Sequence, residues 1–194
     1  MPKNKIKFGL KNVHRAEITI SDTGVVSYGN PKKMEGAVTL TLDPAINSTQ
    51  VPADDLPDFA ILDENNGYTG SMEFTNLSDE DRIAIFGEKL DDNGVLVESA
   101  DDQPKPHAYL FEISGDKNKI RHVLYNVRGT KPSAGSTTGK TQNQSDVMNI
   151  TASPAIDTGK IKGKVENKAP TVEIYEGWFE KVYVPVFSGE IEEE

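Results

Sequence analysis

Residues 103–131 read QPKPHAYLFEISGDKNKIRHVLYNVRGTK, and this stretch decides the fold. Aromatic, leucine and β-branched side chains recur at every second position in 107–113 and in 120–128, which indicates β-strands. The Ser-Gly-Asp-Lys-Asn run between them supplies turn residues, so we predict a β-hairpin with Val123, Tyr125 and Val127 on one face. Because both faces of the hairpin are partly apolar, we expect other elements to cover both sides of it, in the middle of the fold.

The rest of the chain predicts further short strands and at most two short helices. The predicted strands lie at 16–20, 25–28, 36–43, 68–76, 95–97, 147–152, 160–165 and 182–187. Ser78 is a good helix N-cap, three acidic residues follow it, and Gly87 is a suitable stop, so a helix is predicted between them. A second helix is predicted from Thr171. The fold class is therefore mainly β, a sandwich or barrel-like fold with one or two short flanking helices.

The chain is predicted to contain one folded domain over 16–187. A polar and basic arm over 1–15 precedes it, and an acidic tail over 188–194 follows it. Residues 44–66 are acidic and contain three prolines, and we expect them to form a long loop of the kind that is usually functional or disordered. Residues 132–145 are poor in apolar side chains and have the composition of a flexible loop.

The composition excludes several classes of protein. The chain has no cysteine, so disulfide bonds and cysteine-bound metals are excluded. No stretch has the apolar length of a membrane span, and the first residues lack the apolar segment of a secretory signal, so no membrane partner is expected. The formal net charge of −10 argues against a protein that binds nucleic acid by neutralising phosphates, although plain solubility is the commoner reason for such a charge.

No motif predicts catalysis or a cofactor. Residues 134–141 match a relaxed phosphate-loop pattern ending in Lys140-Thr, but the polar run that follows does not predict the helix that such a loop requires. The three histidines, His14, His107 and His122, are scattered and show no metal-ligand spacing. We therefore predict no catalytic residue, no metal ligand and no cofactor, and we expect that the protein is not an enzyme.

One face of two predicted strands is more informative than any motif. It carries hydroxyl side chains and one acid, with no Lys or Arg, at Thr39, Thr41, Thr69, Ser71, Glu73 and Thr75. An ordinary solvated sheet face is the commoner explanation. The sharper hypothesis is a surface past which a polyanion slides, because without cations there is no counterion release and no binding energy for duplex DNA.

Six segments, in order along the chain, resemble a known family. They are FGLKNV at 8–13, GAVTLTLDP at 36–44, NNGY at 65–68, DNGVLVE at 92–98, QPKP at 103–106 and RHVLYN at 121–126. The chain resembles the major tail protein of long-tailed bacteriophages of Gram-positive hosts, of the phi13 type. The similarity extends over nearly the whole chain.

The resemblance implies a tail tube subunit, a β-sandwich flanked by a helix, which is made in the host cytoplasm and assembles into hexameric rings of the virion. Stacked rings form a hollow tube through which DNA passes without specific binding. The strands at 36–43 and 68–76 would line the lumen with the six polar residues named above, and the loop at 44–66 would reach the next ring. The expected ring-stacking residues are Asp54, Asp55, Asp58, Phe59, Asp63 and Glu64.

A separate hypothesis concerns the charges at the start of the chain. The basic arm would contact an acidic surface of an adjacent subunit. The expected contact residues are Lys3, Lys5, Lys7, Lys11 and Arg15. The partners are then further copies of the chain, together with the tape measure, tail terminator and tail tip proteins that the resemblance implies.

Two alternatives remain open on the sequence alone. A soluble β-sandwich binding module, for example a glycan binder on a virion or cell surface, would be a monomer with an exposed aromatic platform. The one tryptophan, Trp178, lies instead in a segment predicted as a packed helix. A phosphate-loop hydrolase would depend on Lys140 alone.

Overall fold

The computed structural model describes residues 9–53, 56–113, 119–133 and 145–187, with the side chains of 52–58 left out. The described residues form eleven strands and two short helices. The strands are β1 (Leu10–Ile20), β2 (Val26–Tyr28), β3 (Lys32–Lys33), β4 (Ala37–Ala53), β5 (Leu56–Phe74), β6 (Lys89–Leu90), β7 (Leu96–Val97), β8 (His107–Ile113), β9 (Arg121–Gly129), β10 (Asp146–Ser153) and β11 (Lys162–Val165). The helices are α1 (Asp79–Phe86) and α2 (Val172–Glu176), and a 3-10 turn at Gly177–Phe179 follows α2. The predicted fold class, mainly β with two short helices, is confirmed.

One large antiparallel sheet organises the fold. Its strand order is β2-β1-β8-β9-β10-β5-β4, β3 also pairs with β1, β11 also pairs with β9, and β6 and β7 form a separate small hairpin. β1 contacts β4 without being hydrogen-bonded to it. The sheet therefore curls around the core that Leu10 of β1 and Leu40 of β4 both pack against.

The β8–β9 hairpin lies in the middle of the fold, as predicted. Its two sides face two different cores, one containing Tyr109 and Phe111 and the other Ala108 and Leu110. The first core lies against β5, β10 and α1, and the second lies against α2 and the 3-10 turn. Burial on both faces explains why the two strands carry apolar residues at nearly every position.

An irregularity in β9 changes the predicted assignment of one side chain. Tyr109 pairs with Leu124, but His107 pairs with Val127, so β9 has one residue more than β8 over this interval. Such a bulge reverses the alternation of faces. Val127 therefore joins Leu124 in the first core, and the prediction that it shares a face with Val123 is wrong.

The first helix begins and ends where the sequence predicts. The Ser78 side chain accepts a hydrogen bond from the Asp81 backbone N–H at 3.2 Å, and Gly87 ends the helix in the left-handed conformation with φ of 80°. Ile85 and Phe86 are buried in the first core. The helix thereby covers one side of the sheet.

The predicted boundary of the N-terminal arm is wrong within the described residues. β1 begins at Leu10, and Val13 is buried in the first core. Residues 10–15 therefore belong to the folded domain. The physical reason is that β8 offers a hydrogen-bonding edge to β1 along this stretch, pairing Leu10 with Ile113 and Arg15 with Tyr109.

The prediction of an irregular loop over 44–66 is also wrong. β4 and β5 remain paired from Ala37 with Phe74 out to Ala53 with Leu56, forming one long hairpin. Prolines are tolerated here because they fall at bulges: the register shifts directly after Pro44 and again around Pro52. Asp54 and Asp55, most of the predicted loop at 132–145 and the acidic tail at 188–194 lie outside the described residues. The prediction of a strand at 182–187 is wrong, because these described residues form no strand.

Candidate functional site

The β4–β5 hairpin carries the candidate site along its base. Thr39 lies opposite Glu73, Thr41 opposite Ser71 and Asp43 opposite Thr69. Cross-strand partners share a face. The opposite face of the same strands presents Met72 and Phe74 to the first core. The strands therefore bury one side and expose the other.

Five of the six residues predicted for a lumen face lie together on this exposed side. They are Thr39, Thr41, Thr69, Ser71 and Glu73. The sixth, Thr75, lies one residue beyond the end of β5, where its hydroxyl donates to the Gly36 carbonyl at 3.4 Å. The alternation of the sequence was sufficient to group them because the two strands pair directly.

β10 widens this side of the sheet by one strand. Its register with β5 places Val147 opposite Glu73, Asn149 opposite Ser71 and Thr151 opposite Thr69, and all three β10 residues are exposed. We define the polar face as the following nine residues. They are Thr39, Thr41, Asp43, Thr69, Ser71, Glu73, Val147, Asn149 and Thr151.

Among the described residues, a cation borders the polar face, and sequence reasoning missed it. Arg128 of β9 pairs with Thr151 and is exposed. Cross-strand pairing puts its side chain on the same side of the sheet as Thr151. The alternation of β9 identifies Arg128 as a surface residue, but nothing local indicates which strand lies next to it.

Hydroxyl groups fix one of the two carboxylates of the polar face, that of Glu73. Ser145 donates to one oxygen of Glu73, and Thr39 Oγ1 donates to Glu73 Oε2 at 2.9 Å. The hydrogen bond from Ser145 has the larger effect and that from Thr39 the smaller, and together they lower the pKa of Glu73 below its ordinary value. A second hydroxyl pair, Thr41 and Ser71, lies 2.9 Å apart one step along the strands. The face therefore holds its negative charge in a defined position.

The hairpin continues beyond the sheet as a two-stranded arm, formed by residues 45–53 and 56–66. β10 pairs with β5 from Phe74 to Tyr68, and beyond Tyr68 the described partner of β5 is β4. Four large apolar side chains on the arm, Ile46, Phe59, Ile61 and Leu62, are each more than half exposed. Such a ribbon is marginally stable by itself.

The predicted ring-stacking residues lie on this arm. Phe59, Asp63 and Glu64 are exposed, and Ser48 Oγ donates to Asp63 Oδ1 at 2.5 Å across the ribbon. The side chain of Asp58 and the whole of Asp54 and Asp55 lie outside the described residues. The structure thus brings the described members together, on paired strands instead of on a loop.

The predicted basic contacts fall into three groups. Lys3, Lys5 and Lys7 lie outside the described residues, and Lys11 is exposed on β1. The prediction for Arg15 is wrong, because its side chain is 5% exposed and its Nε donates to Asp81 Oδ1 at 2.6 Å. Its charge is satisfied inside the subunit, so it does not belong to a contact arm.

The described residues offer little support for the alternative functions. Trp178 is buried and its Nε1 donates to the His122 carbonyl at 3.2 Å, so it is not part of an exposed aromatic platform. Lys140 and the rest of 134–141 lie outside the described residues. Within the described ranges, no cluster of three His, Asp or Glu side chains has the geometry to hold a metal ion.

Comparisons with known proteins give no family for the chain. No protein-family model matches it, and no curated protein matches it. In the part of the chain that the structure describes, no helix is both long enough and apolar enough to cross a membrane. Any function therefore has to be argued from the polar face and the arm.

Proposed function

We propose that this chain is a structural subunit of a bacteriophage tail tube, polymerising as stacked hexameric rings into a hollow conduit for the genome. Three features support the proposal: the mainly β fold, the polar face and the exposed arm. The subunit is not an enzyme, works in the virion, and has other copies of itself as its main partners. The tape measure, tail terminator and tail tip proteins contact the ends or the interior of the tube.

The exposed apolar arm is the observation that carries the proposal. Full burial of a fully exposed aliphatic or aromatic side chain contributes about 1.5–3 kcal/mol. The four side chains are 57–61% exposed in the subunit, so covering them contributes roughly 3.5–7 kcal/mol. Association itself costs about 4–15 kcal/mol. One arm contact is therefore at or below break-even, and stacking of whole rings, which makes many such contacts at once, is favoured.

The negative charge of the β4–β5 hairpin is compatible with a surface that lines a channel for DNA. No Lys or Arg occurs between Lys33 and Arg82, and seven acids lie within 37–74. If the polar face lines the lumen, the phosphates pass hydroxyls and carboxylates and release few counterions. Arg128, which pairs with Thr151, adds a positive charge at the border of this face. DNA then meets a wall without a continuous binding surface.

Contacts between subunits also involve the basic N-terminal residues in this proposal. Lys3, Lys5, Lys7 and Lys11 meet an acidic surface of a neighbouring copy. Attraction between exposed charges is screened over about 10 Å at 0.1 M salt. Raising the salt concentration should therefore weaken assembly, and a salt titration without any effect on assembly would contradict this contact.

Mutation of the arm tests the proposed function. The variant Phe59→Ser, Ile61→Ser, Leu62→Ser should fold normally but remain monomeric in sedimentation velocity, because the substituted side chains are exposed in the subunit. The matched control is Ile20→Ser, Val25→Ser, which replaces exposed apolar residues near the β1–β2 turn. Assembly of the arm variant at wild-type concentrations would argue against the proposal.

A further inference from the structure

A recess beside the base of the arm has the character of a binding site. It has a volume of about 390 Å³ and is lined by Tyr68, Ile113, Ile120, His122, Lys162, Gly163 and Lys164. β11 pairs with one half of β9 and β10 with the other half, so the two strands diverge along the same edge. Tyr68, which lies on β5 next to the base of the arm, also lines the recess.

Apolar and basic groups are combined in this recess. Ile113, Ile120 and the Tyr68 ring supply apolar surface, while Lys162 and Lys164 are exposed at its edge. The Lys162 Nζ lies 5.4 Å from the centre of the Tyr68 ring, within range of a cation–π interaction. An occupant should therefore be apolar with an adjacent negative charge.

We infer that the recess receives the arm of a second copy of this chain. Cross-strand pairing of Gln50 with Ile61 and Ser48 with Asp63, together with the alternation of a strand, puts Ile61 and Asp63 on one face of the arm, and Phe59 is exposed two residues before Ile61. Phe59 and Ile61 enter the recess, and Asp63 meets Lys164 or Lys162. The inference rests on the proposed function, since it names the surface that accepts the arm.

The position of the recess excludes insertion of a chain's own arm. Phe59 and Ile61 lie several residues along β5 from Tyr68, and β5 stays paired with β4 over this length. At about 3.3 Å per residue, the separation is on the order of 25 Å. Because the arm and the recess are different surfaces, each copy inserts its arm into one neighbour and receives the arm of another neighbour in its own recess. A contact of this type extends into an open stack.

Disulfide cross-linking tests the inference directly, because the protein contains no cysteine. Ile61→Cys protein is mixed with Lys164→Cys protein, polymerised, oxidised and examined by non-reducing gel electrophoresis and mass spectrometry. We expect the mixed disulfide between the two variants, since a disulfide forms where Cα atoms come within about 7 Å. In the control, the Lys164→Cys protein is exchanged for an Asp22→Cys protein. Asp22 lies in the exposed β1–β2 turn, so this variant should not cross-link to the Ile61→Cys protein.

Charge reversal provides a second readout. Lys162→Glu, Lys164→Glu should raise the protein concentration required for assembly about tenfold, whereas Lys33→Glu, Lys181→Glu, with equal change in net charge, should leave it nearly unchanged. Normal tubes without the mixed disulfide would overturn the recess assignment and leave the proposed function intact. A protein that stays monomeric and gives no cross-link, even after a tail-tip complex is added, would overturn both.

Discussion

Thr39 and Glu73 face each other across the β4–β5 pair, and Thr39 Oγ1 donates a hydrogen bond of 2.9 Å to Glu73 Oε2. Ser145 donates to the other carboxylate oxygen. Both donors stabilise the ionised form, so Glu73 keeps its negative charge to lower pH than an ordinary Glu. The polar face therefore carries a negative charge, that of Glu73, held in place by two hydroxyl groups.

The pKa of Glu73 should depend on these two hydroxyl donors. Ser145→Ala and Thr39→Val should each raise it toward the ordinary value, as measured by NMR titration of the side-chain carboxyl. The donors stabilise the fold above the ordinary pKa, and this contribution is lost as the pH falls through the lowered pKa. Thr41→Val is the control, since Thr41 pairs with Ser71 instead. An unchanged pKa in both donor variants would contradict the assigned hydrogen bonds.

Cations placed at the proposed lumen residues should impede the genome. Thr39→Lys, Thr41→Lys, Thr75→Lys introduces phosphate-binding charges, which should slow or block DNA ejection and lower infectivity. The control variant carries Gln at the same three positions, which adds bulk without charge. Electron microscopy first establishes that both variants form tubes. Wild-type ejection by the lysine variant would show that this face does not meet the DNA.

Local signals in the sequence were sufficient for much of the fold. Ser78 and Gly87 bound a helix because capping depends on a few adjacent residues. The β8–β9 hairpin was identifiable because its alternation and turn residues are contiguous. The grouping of Thr39 with Glu73 followed from alternation within two strands that happen to pair directly.

The buried ion pair between Arg15 and Asp81 should be a major determinant of stability. The side chains are 5% and 10% exposed, and Asp81→Ala removes the carboxylate 2.6 Å from the buried guanidinium, leaving it the longer contact with Glu80 at 3.6 Å; the loss should cost about 3–5 kcal/mol. Lys32→Ala is the control: Lys32 and Glu80 are 63% and 66% exposed, and their pair should contribute about 0–1 kcal/mol. Urea denaturation measures the free energy of unfolding of both variants. Equal losses of stability would contradict the claim that the buried pair contributes more than the exposed one.

Gly67, where the arm leaves the sheet, should not tolerate a side chain. Its φ is 109°, and a Cβ there would overlap the carbonyl oxygen of Ala152 on β10. Gly24 has a φ of 81° but open space around it, so Gly24→Ala should cost only the left-handed strain of about 1–2 kcal/mol. Gly67→Ala should cost more than this, because the added Cβ also forces β5 away from β10. Equal urea midpoints for the two variants would contradict the close approach.

Features that depend on distant pairing were not predictable from the sequence. The burial of Arg15 depends on Asp81, which is 66 residues away in the chain. Arg128 borders the polar face only because β9 pairs with β10. The arm was mistaken for a loop because prolines normally interrupt strands, whereas bulges and free edges in a two-stranded ribbon accommodate them.

The most direct test of the central claim is negative-stain electron microscopy of the purified protein over a concentration series. We expect rings at intermediate concentration and hollow tubes at high concentration, with the Phe59→Ser, Ile61→Ser, Leu62→Ser variant remaining dispersed. Dispersed wild-type monomers at every concentration, with no growth after a tail-tip complex is added, would contradict the tail-tube assignment.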